Sequence, residues 1–374
     1  MHTKIAHITT FHPRTDSRIF VKEISTIRNE VSSDCILIVQ DGLSDEEIKG
    51  VRIMSAGPKL SRQRYRILVG VWRMLFKVLS EKPKIIHFHD PELIPIGLIL
   101  CLFGKKIVYD VLEDIPKQLL HMANMSRFFA SVIGRVYLGF ECLAKVAFSA
   151  CIVVVPDMLS RFRNSKVLLL ANFPSLEEFP TIPEENQQRV PGRFVYAGGI
   201  GVVRGIGEMV DAIARVRDER ARLHLLGAFN NSGLEAQMRT RDGWQRVQFL
   251  GWSSRETVVE EMSHASAGLV LLHPTPQYVI SYPVKMFEYM AAGLPVIASD
   301  FPLWREIVEG AGCGLLVDPQ DPQAIADAMQ WILDHPEEAA AMGRRGRAAV
   351  EERYNWEAES EKLVALYRRL MPET

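Results

Sequence analysis

Short apolar runs alternate with helix-forming stretches along almost the whole chain, and this alternation constrains the fold most strongly. In the first half the runs are Lys4–Thr9, Cys35–Val39, Ile85–His89, Lys106–Asp110, Cys151–Val155 and Lys166–Leu170. In the second half they are Phe194–Ala197, Arg222–Leu226, Val247–Leu250, Ala267–Leu272 and Pro295–Ser299. Helical patterns such as Gly205–Arg217 and Ser254–His264 separate most of them. The pattern predicts an α/β fold, with parallel sheets covered by helices on both faces.

The length of 374 residues exceeds the usual limit for one hydrophobic core, so two domains are expected. Residues 174–192 break the alternation with four prolines and an acidic run, which is typical of a linker. We therefore predict two doubly wound, Rossmann-like domains, over residues 1–173 and 193–354, that face a central cleft. Ligands of such sheets bind beyond the carboxyl ends of the strands.

The composition is that of a soluble globular protein, with 48% hydrophobic and 24% charged residues. The sequence contains neither an 18-residue apolar run nor an N-terminal signal peptide, and its five cysteines lack metal-binding spacing. These features favour the cytoplasm. Residues 1–170 carry 24 Lys and Arg against 16 Asp and Glu, which suggests an anionic partner there. This excess is too small to indicate nucleic acid.

The run Tyr282–Ser299 reads as loop, helix, tight turn and buried strand. Pro283 suits the first helical position, and Gly293 suits the left-handed residue after the last. A helix N-terminus attracts phosphate; Lys285 adds a charge there, and Glu288, one turn on, can accept two ribose hydroxyls. These residues predict a nucleoside diphosphate site. The alternative is an ordinary amphipathic helix with a salt bridge beside a core strand.

A second candidate is the glycine turn of Phe194–Ile206, which reads as strand, turn and helix. Gly199 and its neighbouring glycines permit a ligand to approach the backbone closely. Arg204 lies just before the predicted helix, where its guanidinium would meet a diphosphate and stabilise charge on the leaving group. Tight packing alone explains such a turn about as often.

In the first half, the run from Ile85 ends in His87-Phe-His89-Asp90-Pro. A strand gains nothing structurally from these titratable side chains, so His89 and Asp90 are candidates for chemistry. Asp90 equally suits a helix cap, with proline at the first helical position. His-x-His also invites a metal interpretation, but no carboxylate and cysteine set completes one, so no metal is predicted.

Several of these stretches resemble the family 4 glycosyltransferases, a retaining group with the GT-B fold. The donor-nucleotide signature of that family is similar to the sequence from Pro283, Pro-Val-Lys-Met-Phe-Glu-Tyr-Met-Ala-Ala-Gly-Leu-Pro-Val-Ile-Ala-Ser. Its glycine turn is similar to the one before Arg204. A branch that builds bacterial surface polysaccharides has two elements similar to His-Asp-Pro-Glu-Leu from His89 and His-x-x-x-Asp-x-Arg-Ile-Phe from His12.

The resemblance implies a nucleoside-diphosphate sugar as donor, a lipid-linked saccharide as acceptor, and no metal or other cofactor. It also implies that the helix of about residues 355–374 crosses back onto the N-terminal domain. The implied donor-binding residues are Gly199, Arg204, Lys285 and Glu288. The implied catalytic residues are His89, Asp90, Glu113 and Arg204. The implied acceptor-side residues are His12 and Arg18, although a surface role for Arg18 explains it as well.

Two positions depart from the family pattern. Leu112 stands where the branch commonly has a histidine near the donor sugar, and leucine neither donates a hydrogen bond nor shuttles a proton. Ile280 stands where the family has the first of two glutamates, of which Glu288 matches the second, and many members of the Pro-x-Lys-x-x-Glu-Tyr type share that lack. Both departures concern sugar contacts more than nucleotide binding.

The stretch from Lys59 to Lys77 carries basic residues among large apolar ones and predicts a basic amphipathic helix. Such a helix can lie on an anionic bilayer, and the residues predicted to face the membrane are Arg62, Arg66, Trp72 and Arg73. The alternative is that its apolar side packs on the sheet while its charges are solvated.

The sequence therefore predicts a glycosyltransferase of surface polysaccharide synthesis, bound peripherally to the cytoplasmic face of the inner membrane. Two alternatives remain open. A nucleotide-sugar epimerase of the same fold would turn over the donor without any acceptor. A non-catalytic paralogue, suggested by Leu112 and Ile280, would bind nucleotide without consuming sugar.

Overall fold

The computed structural model describes residues 3–60, 65–112, 127–162, 166–180 and 189–371. The chain divides into two compact units. The first consists of Met1–Asn172 together with Ala358–Thr374, and the second is Phe173–Glu357. Each unit is built on its own sheet, with helices between most successive strands.

The sheet of the first unit has eight strands in the order β3-β4-β2-β1-β5-β6-β7-β8. All pairs are parallel except β3 with β4. The strands are β1 Ile5–Thr9, β2 Cys35–Val39, β3 Glu46–Ile48, β4 Val51–Ser55, β5 Ile85–Phe88, β6 Lys106–Val111, β7 Ala150–Val153 and β8 Val167–Leu169. The connections run to opposite sides from β1 and β5, and the carboxyl ends of strands at such a switch point are where ligands of these sheets bind.

Helices lie between most strands of the first unit. Two of them begin with a π-helical segment: Ser17–Ile24 continues into Ser25–Glu30, and Arg66–Gly70 continues into Val71–Glu81. The others are Pro91–Leu93 with Ile94–Leu102, Arg127–Ala147 and Pro156–Arg161, and the last helix, Trp356–Leu370, follows the second unit in the sequence. The last helix joins this unit from Ala358 onward. Inside the unit, the buried Tyr367 hydroxyl lies 2.9 Å from His87 Nδ1.

The sheet of the second unit has six parallel strands in the order β11-β10-β9-β12-β13-β14. They are β9 Arg193–Ala197, β10 Arg222–Leu226, β11 Val247–Gly251, β12 Ala267–Val270, β13 Val296–Ser299 and β14 Gly314–Val317. The helices include Ile206–Arg215, Ser232–Arg239, Arg255–His264, Val284–Ala291, Pro302–Ala311, Pro322–Asp334 and Pro336–Glu352. Here the strand order reverses between β9 and β12.

The predicted fold class is confirmed, because both units are Rossmann-like and every predicted strand is present with ends that differ by a residue or two. Three strands were missed: β3, β4 and β14. Strand β3 is exposed and acidic, which suits an edge but gives no apolar signal. None of the helices that the structure describes is long and apolar enough to cross a membrane.

Candidate functional site

The glycine turn lies at the carboxyl end of β9, where the strand order of the second unit reverses. Gly198 has a φ of 139°, and Gly227, at the end of β10, has a φ of 137°. A Cβ on Gly227 would overlap the carbonyl oxygen of Gly198, so the two backbones touch. Tyr196 donates a hydrogen bond of 2.7 Å to the carbonyl oxygen of Gly199. These contacts hold the turn in one conformation, and its glycines leave the backbone without side chains that would keep a ligand away.

Two cationic side chains converge on this turn. A Cβ placed on Gly198 would lie 3.1 Å from Lys285 Nζ and 3.9 Å from Arg204 Nη1. Lys285 Nζ also lies 4.7 Å from the centre of the Tyr196 ring. Among the residues that the structure describes, neither cation forms a salt bridge with a carboxylate. Two uncompensated cations beside a bare backbone form a site for an anion.

The electrostatics of Lys285 agree with that interpretation. Burial and the nearby Arg204 charge lower the pKa of Lys285 to about 7, against a weaker opposing effect of Glu288. A bound diphosphate would supply the missing negative charge and restore the lysine to its ordinary range.

Glu288 lies on the helix Val284–Ala291, one turn after Lys285. The helix begins one residue later than predicted, because Pro283 occupies its N-cap, while Gly293 has the expected positive φ of 67°. The alternative of an ordinary Lys285–Glu288 salt bridge is not what the structure shows. Glu288 Oε1 instead lies 2.7 Å from Arg255 Nη2.

Arg255 is the functional candidate that sequence reasoning missed. It begins the helix Arg255–His264 and also pairs with Glu178 at 2.6 Å. Its guanidinium carbon lies 5.2 Å from the centre of the Phe179 ring. These contacts hold Arg255 in place, so it orients the Glu288 carboxylate. The sequence motif around Glu288 does not indicate Arg255 as its partner, because the two residues are far apart in the sequence.

In the first unit, His12 and Asp90 lie together at the carboxyl ends of β1 and β5. Asp90 accepts a hydrogen bond of 2.7 Å from the backbone N–H of Thr10, and His12 Nε2 lies 4.0 Å from Asp90 Oδ1. Asp90 does occupy the N-cap of the helical turn Pro91–Leu93, as the capping alternative has it, but its side chain makes no capping bond there. Burial lowers the pKa of His12, but Asp16 and Asp90 outweigh it and raise that pKa.

Two other predicted residues of this unit lie in its interior. Arg18 is 4% exposed, and its guanidinium donates hydrogen bonds of 2.9 and 3.0 Å to Asp110. His89 is also buried, with Nδ1 3.2 Å from Asp110. We predicted that Arg18 meets an acceptor phosphate and that His89 contacts substrate. Both predictions are wrong, because the two side chains are buried inside the unit. Leu112, by contrast, is half-buried just after β6.

The predicted membrane-facing residues separate in the structure. Arg66 forms a 3.2 Å ion pair with Glu92 and lies over the Phe11 ring. The prediction that Arg66 faces the membrane is therefore wrong, because these contacts hold its side chain against its own unit. Trp72 and Arg73 are exposed on the helix Val71–Glu81. Arg62, the fourth predicted membrane-facing residue, lies outside the described residues, and so does Glu113, which is predicted to be catalytic.

Comparisons with known proteins find glycosyltransferases that are similar to part of this chain. Residues 191–335 match the family model described as Glycosyl transferases group 1. A D-inositol 3-phosphate glycosyltransferase of Corynebacterium urealyticum is 33% identical over 207 residues, which cover 50% of this chain and 47% of that protein. The chain thus matches about half the length of this curated relative.

Two solved structures share the fold over nearly the full length. Sucrose-phosphate synthase from Thermosynechococcus elongatus has a TM-score of 0.78 at 22% identity, with 98% of this chain and 99% of that chain covered. Anabaena Alr3699/HepE in complex with UDP-glucose has a TM-score of 0.72 at 16% identity, with 98% and 100% covered. At these identities the likeness shows the fold alone.

Proposed function

We propose that the chain is a family 4-like glycosyltransferase that transfers a hexosyl group from a nucleoside-diphosphate sugar to a saccharide acceptor. The match of residues 191–335 to the group 1 family model and the likeness to solved GT-B structures support this proposal. The resemblance to the surface-polysaccharide branch favours a lipid-linked acceptor, and the family type favours retention of anomeric configuration. The same-fold protein bound to UDP-glucose supports a donor of this class.

The observation that carries the proposal is the uncompensated cation pair on the glycine turn. Arg204 and Lys285 have no carboxylate partner among the described residues, and both lie against Gly198. A diphosphate seated there would receive both charges, and Arg204 would stabilise the charge that develops on the departing diphosphate. Glu288, held by Arg255, would accept the ribose hydroxyls. The transfer needs no metal in this scheme, because the two side chains supply the positive charge.

His12 is the residue of the first unit that we assign to the acceptor, and the buried Asp90 carboxylate lies 4.0 Å from its imidazole. Both lie at the carboxyl ends of parallel strands, where ligands of such sheets bind. His12 is half-buried and retains an exposed part, unlike His89 and Arg18. A protonated His12 would hold an anionic or hydroxylated acceptor group, and the departing phosphate would take the proton from the attacking hydroxyl.

We also propose that the helix Val71–Glu81 contacts an anionic membrane surface. It exposes Trp72, Phe76 and Leu79, while its other side packs Met74 and Val78 into the unit. One side of the helix thus packs into the unit, as the alternative interpretation has it. The other side exposes aromatic residues beside Arg73, and this is the side that we propose to meet the membrane. Exposed aromatics with a neighbouring cation suit the interface of a bilayer.

A turnover assay tests the proposed activity. The chain is incubated with UDP-, GDP-, ADP- and TDP-glucose, and release of nucleoside diphosphate is measured with and without a bacterial membrane lipid extract. We expect release that depends on the extract for one base, and its loss in Arg204→Ala. Turnover of the donor without extract and without nucleotide release would instead indicate an epimerase. Binding with no turnover under any condition would indicate a non-catalytic protein.

A further inference from the structure

The interior of the first unit contains a cluster of metal-ligating side chains that the proposed transfer does not use. It consists of His7, Glu23, His87 and His89, all fully buried or nearly so. His7 is on β1, His87 is on β5 with His89 following it, and Glu23 is on the helical segment Ser17–Ile24. The four potential ligand atoms lie within 4.8 Å of one another.

Ring nitrogens and a carboxylate meet at the centre of this cluster. His7 Nδ1 and His89 Nε2 share a hydrogen bond of 3.1 Å, whose proton a bound metal would displace, and Glu23 Oε2 lies 3.9 Å from both His87 Nδ1 and His89 Nε2. Neither oxygen of Glu23 makes a hydrogen bond in the described part of the chain, although Oε1 lies 3.0 Å from Arg18 Nε. His87 Nε2 likewise has no hydrogen-bond partner there. Buried polar atoms without partners are uncommon, and converging lone pairs suit a cation.

The outer contacts of the cluster are those of a metal site. A ligating histidine usually donates its other ring N–H to a carboxylate or similar acceptor, which fixes the ring. His89 Nδ1 lies 3.2 Å from Asp110, whose carboxylate is itself held by Arg18. On the His87 ring, Nδ1 lies 2.9 Å from the hydroxyl of Tyr367, on the last helix.

We propose that His7, Glu23, His87 and His89 form a buried structural site for a divalent transition metal, with zinc as the ion that fits best. Three imidazoles and one carboxylate are ligands that zinc takes, and four protein ligands close its tetrahedral shell. Zinc–ligand distances of about 2.0–2.2 Å require the cluster to contract slightly around the ion. With no position left for substrate, the metal would tie β1, β5 and the segment Ser17–Ile24 together and would take no part in transfer.

Metal content of the purified full-length chain tests the proposal. The chain is loaded with zinc sulfate, desalted and assayed by mass spectrometry of the metal, and we expect about one zinc per chain. Removal of the zinc by a strong chelator should lower Tm, because the ion binds only the folded state. Cobalt(II) in its place should give the visible absorption of a tetrahedral site. A chain that retains no metal, and whose Tm is the same with and without chelator, overturns the proposal.

Variants separate this cluster from adventitious binding. Glu23→Gln and His87→Asn should each reduce the retained zinc from about one per chain to background. The control His335→Asn changes an exposed histidine of the second unit and should retain the metal. Equal zinc content in the control and in both cluster variants contradicts the assignment. Because the donor residues are in the second unit, failure here leaves the transfer proposal untouched.

Discussion

At the scale of single residues, Lys285 makes nucleotide affinity depend on pH. Its pKa of about 7 in the free protein means that it is partly neutral above that pH, whereas a bound diphosphate favours the charged form and raises the pKa. Binding then takes up a proton. Affinity should therefore fall as pH rises above about 7, by up to about tenfold per pH unit.

The measurement is calorimetric titration of the nucleoside diphosphate between about pH 6 and pH 9. Lys285→Arg is the matched variant, because arginine stays charged throughout that range and should give a nearly flat profile. If wild type and Lys285→Arg showed the same dependence above pH 7, Lys285 would not be the titrating group.

Glu288 should confer a preference for ribose over deoxyribose. Hydrogen bonds to a charged group contribute about 1.5–3 kcal/mol, so UDP should bind wild type at least tenfold more tightly than 2′-deoxy-UDP. Glu288→Ala should lose most of that preference, and Arg255→Ala should reduce it by leaving the carboxylate unoriented. The matched control is Glu256→Gln, which changes an exposed carboxylate on the same helix as Arg255 and should retain the preference. An unchanged preference in Glu288→Ala contradicts the ribose assignment.

At the scale of elements, the glycine turn should tolerate no side chain where its backbone meets the neighbouring strand end. In Gly227→Ala the new Cβ would meet the Gly198 carbonyl, and φ of 137° is itself unfavourable for alanine. Backbone strain of this kind costs about 1–3 kcal/mol, or else the turn moves away from Lys285. We expect a lower Tm and weaker nucleotide binding, measured by thermal unfolding and calorimetry.

The control for that experiment is Gly310→Ala, in the helix Pro302–Ala311. Apart from its chain neighbours and the backbone of its own helix, no atom of the described residues lies within 4 Å of the Cβ that this substitution adds. It should retain nucleotide affinity and stabilise the helix by up to about 1 kcal/mol. Equal affinity in the two variants would show that the turn is not part of the donor site.

The exposed aromatic side of the helix Val71–Glu81 should bind vesicles. Trp72 is 50% exposed and Phe76 is 69% exposed. Replacement of both by serine should reduce co-sedimentation with vesicles of anionic phospholipid by roughly tenfold or more, from the lost apolar burial. The control Trp252→Ser removes an even more exposed tryptophan, at 83%, from the second unit and should bind as wild type does. Equal binding by all three proteins contradicts the proposed contact.

At the scale of the whole molecule, the fold was predictable because parallel strands buried on both faces leave continuous apolar runs. Strand β2, with every residue buried, was predicted to the residue, whereas the exposed edge strand β3 was not. Lys285 and Glu288 were predictable because local helix spacing joins them. Arg255 and the buried Asp110–Arg18 pair were not, since long-range packing alone creates those contacts.

The most direct test of the donor site is thermal unfolding with UDP-, GDP-, ADP- and TDP-sugars, on wild type and on Arg204→Ala and Lys285→Met. A ligand at about 100 times its Kd stabilises the folded protein by about 2.7 kcal/mol, which is a readily measured rise in Tm. We predict that one nucleotide family raises the Tm of wild type and has little effect on either variant. No rise with any donor, or an equal rise in all three proteins, would contradict a nucleotide-sugar site at Arg204 and Lys285.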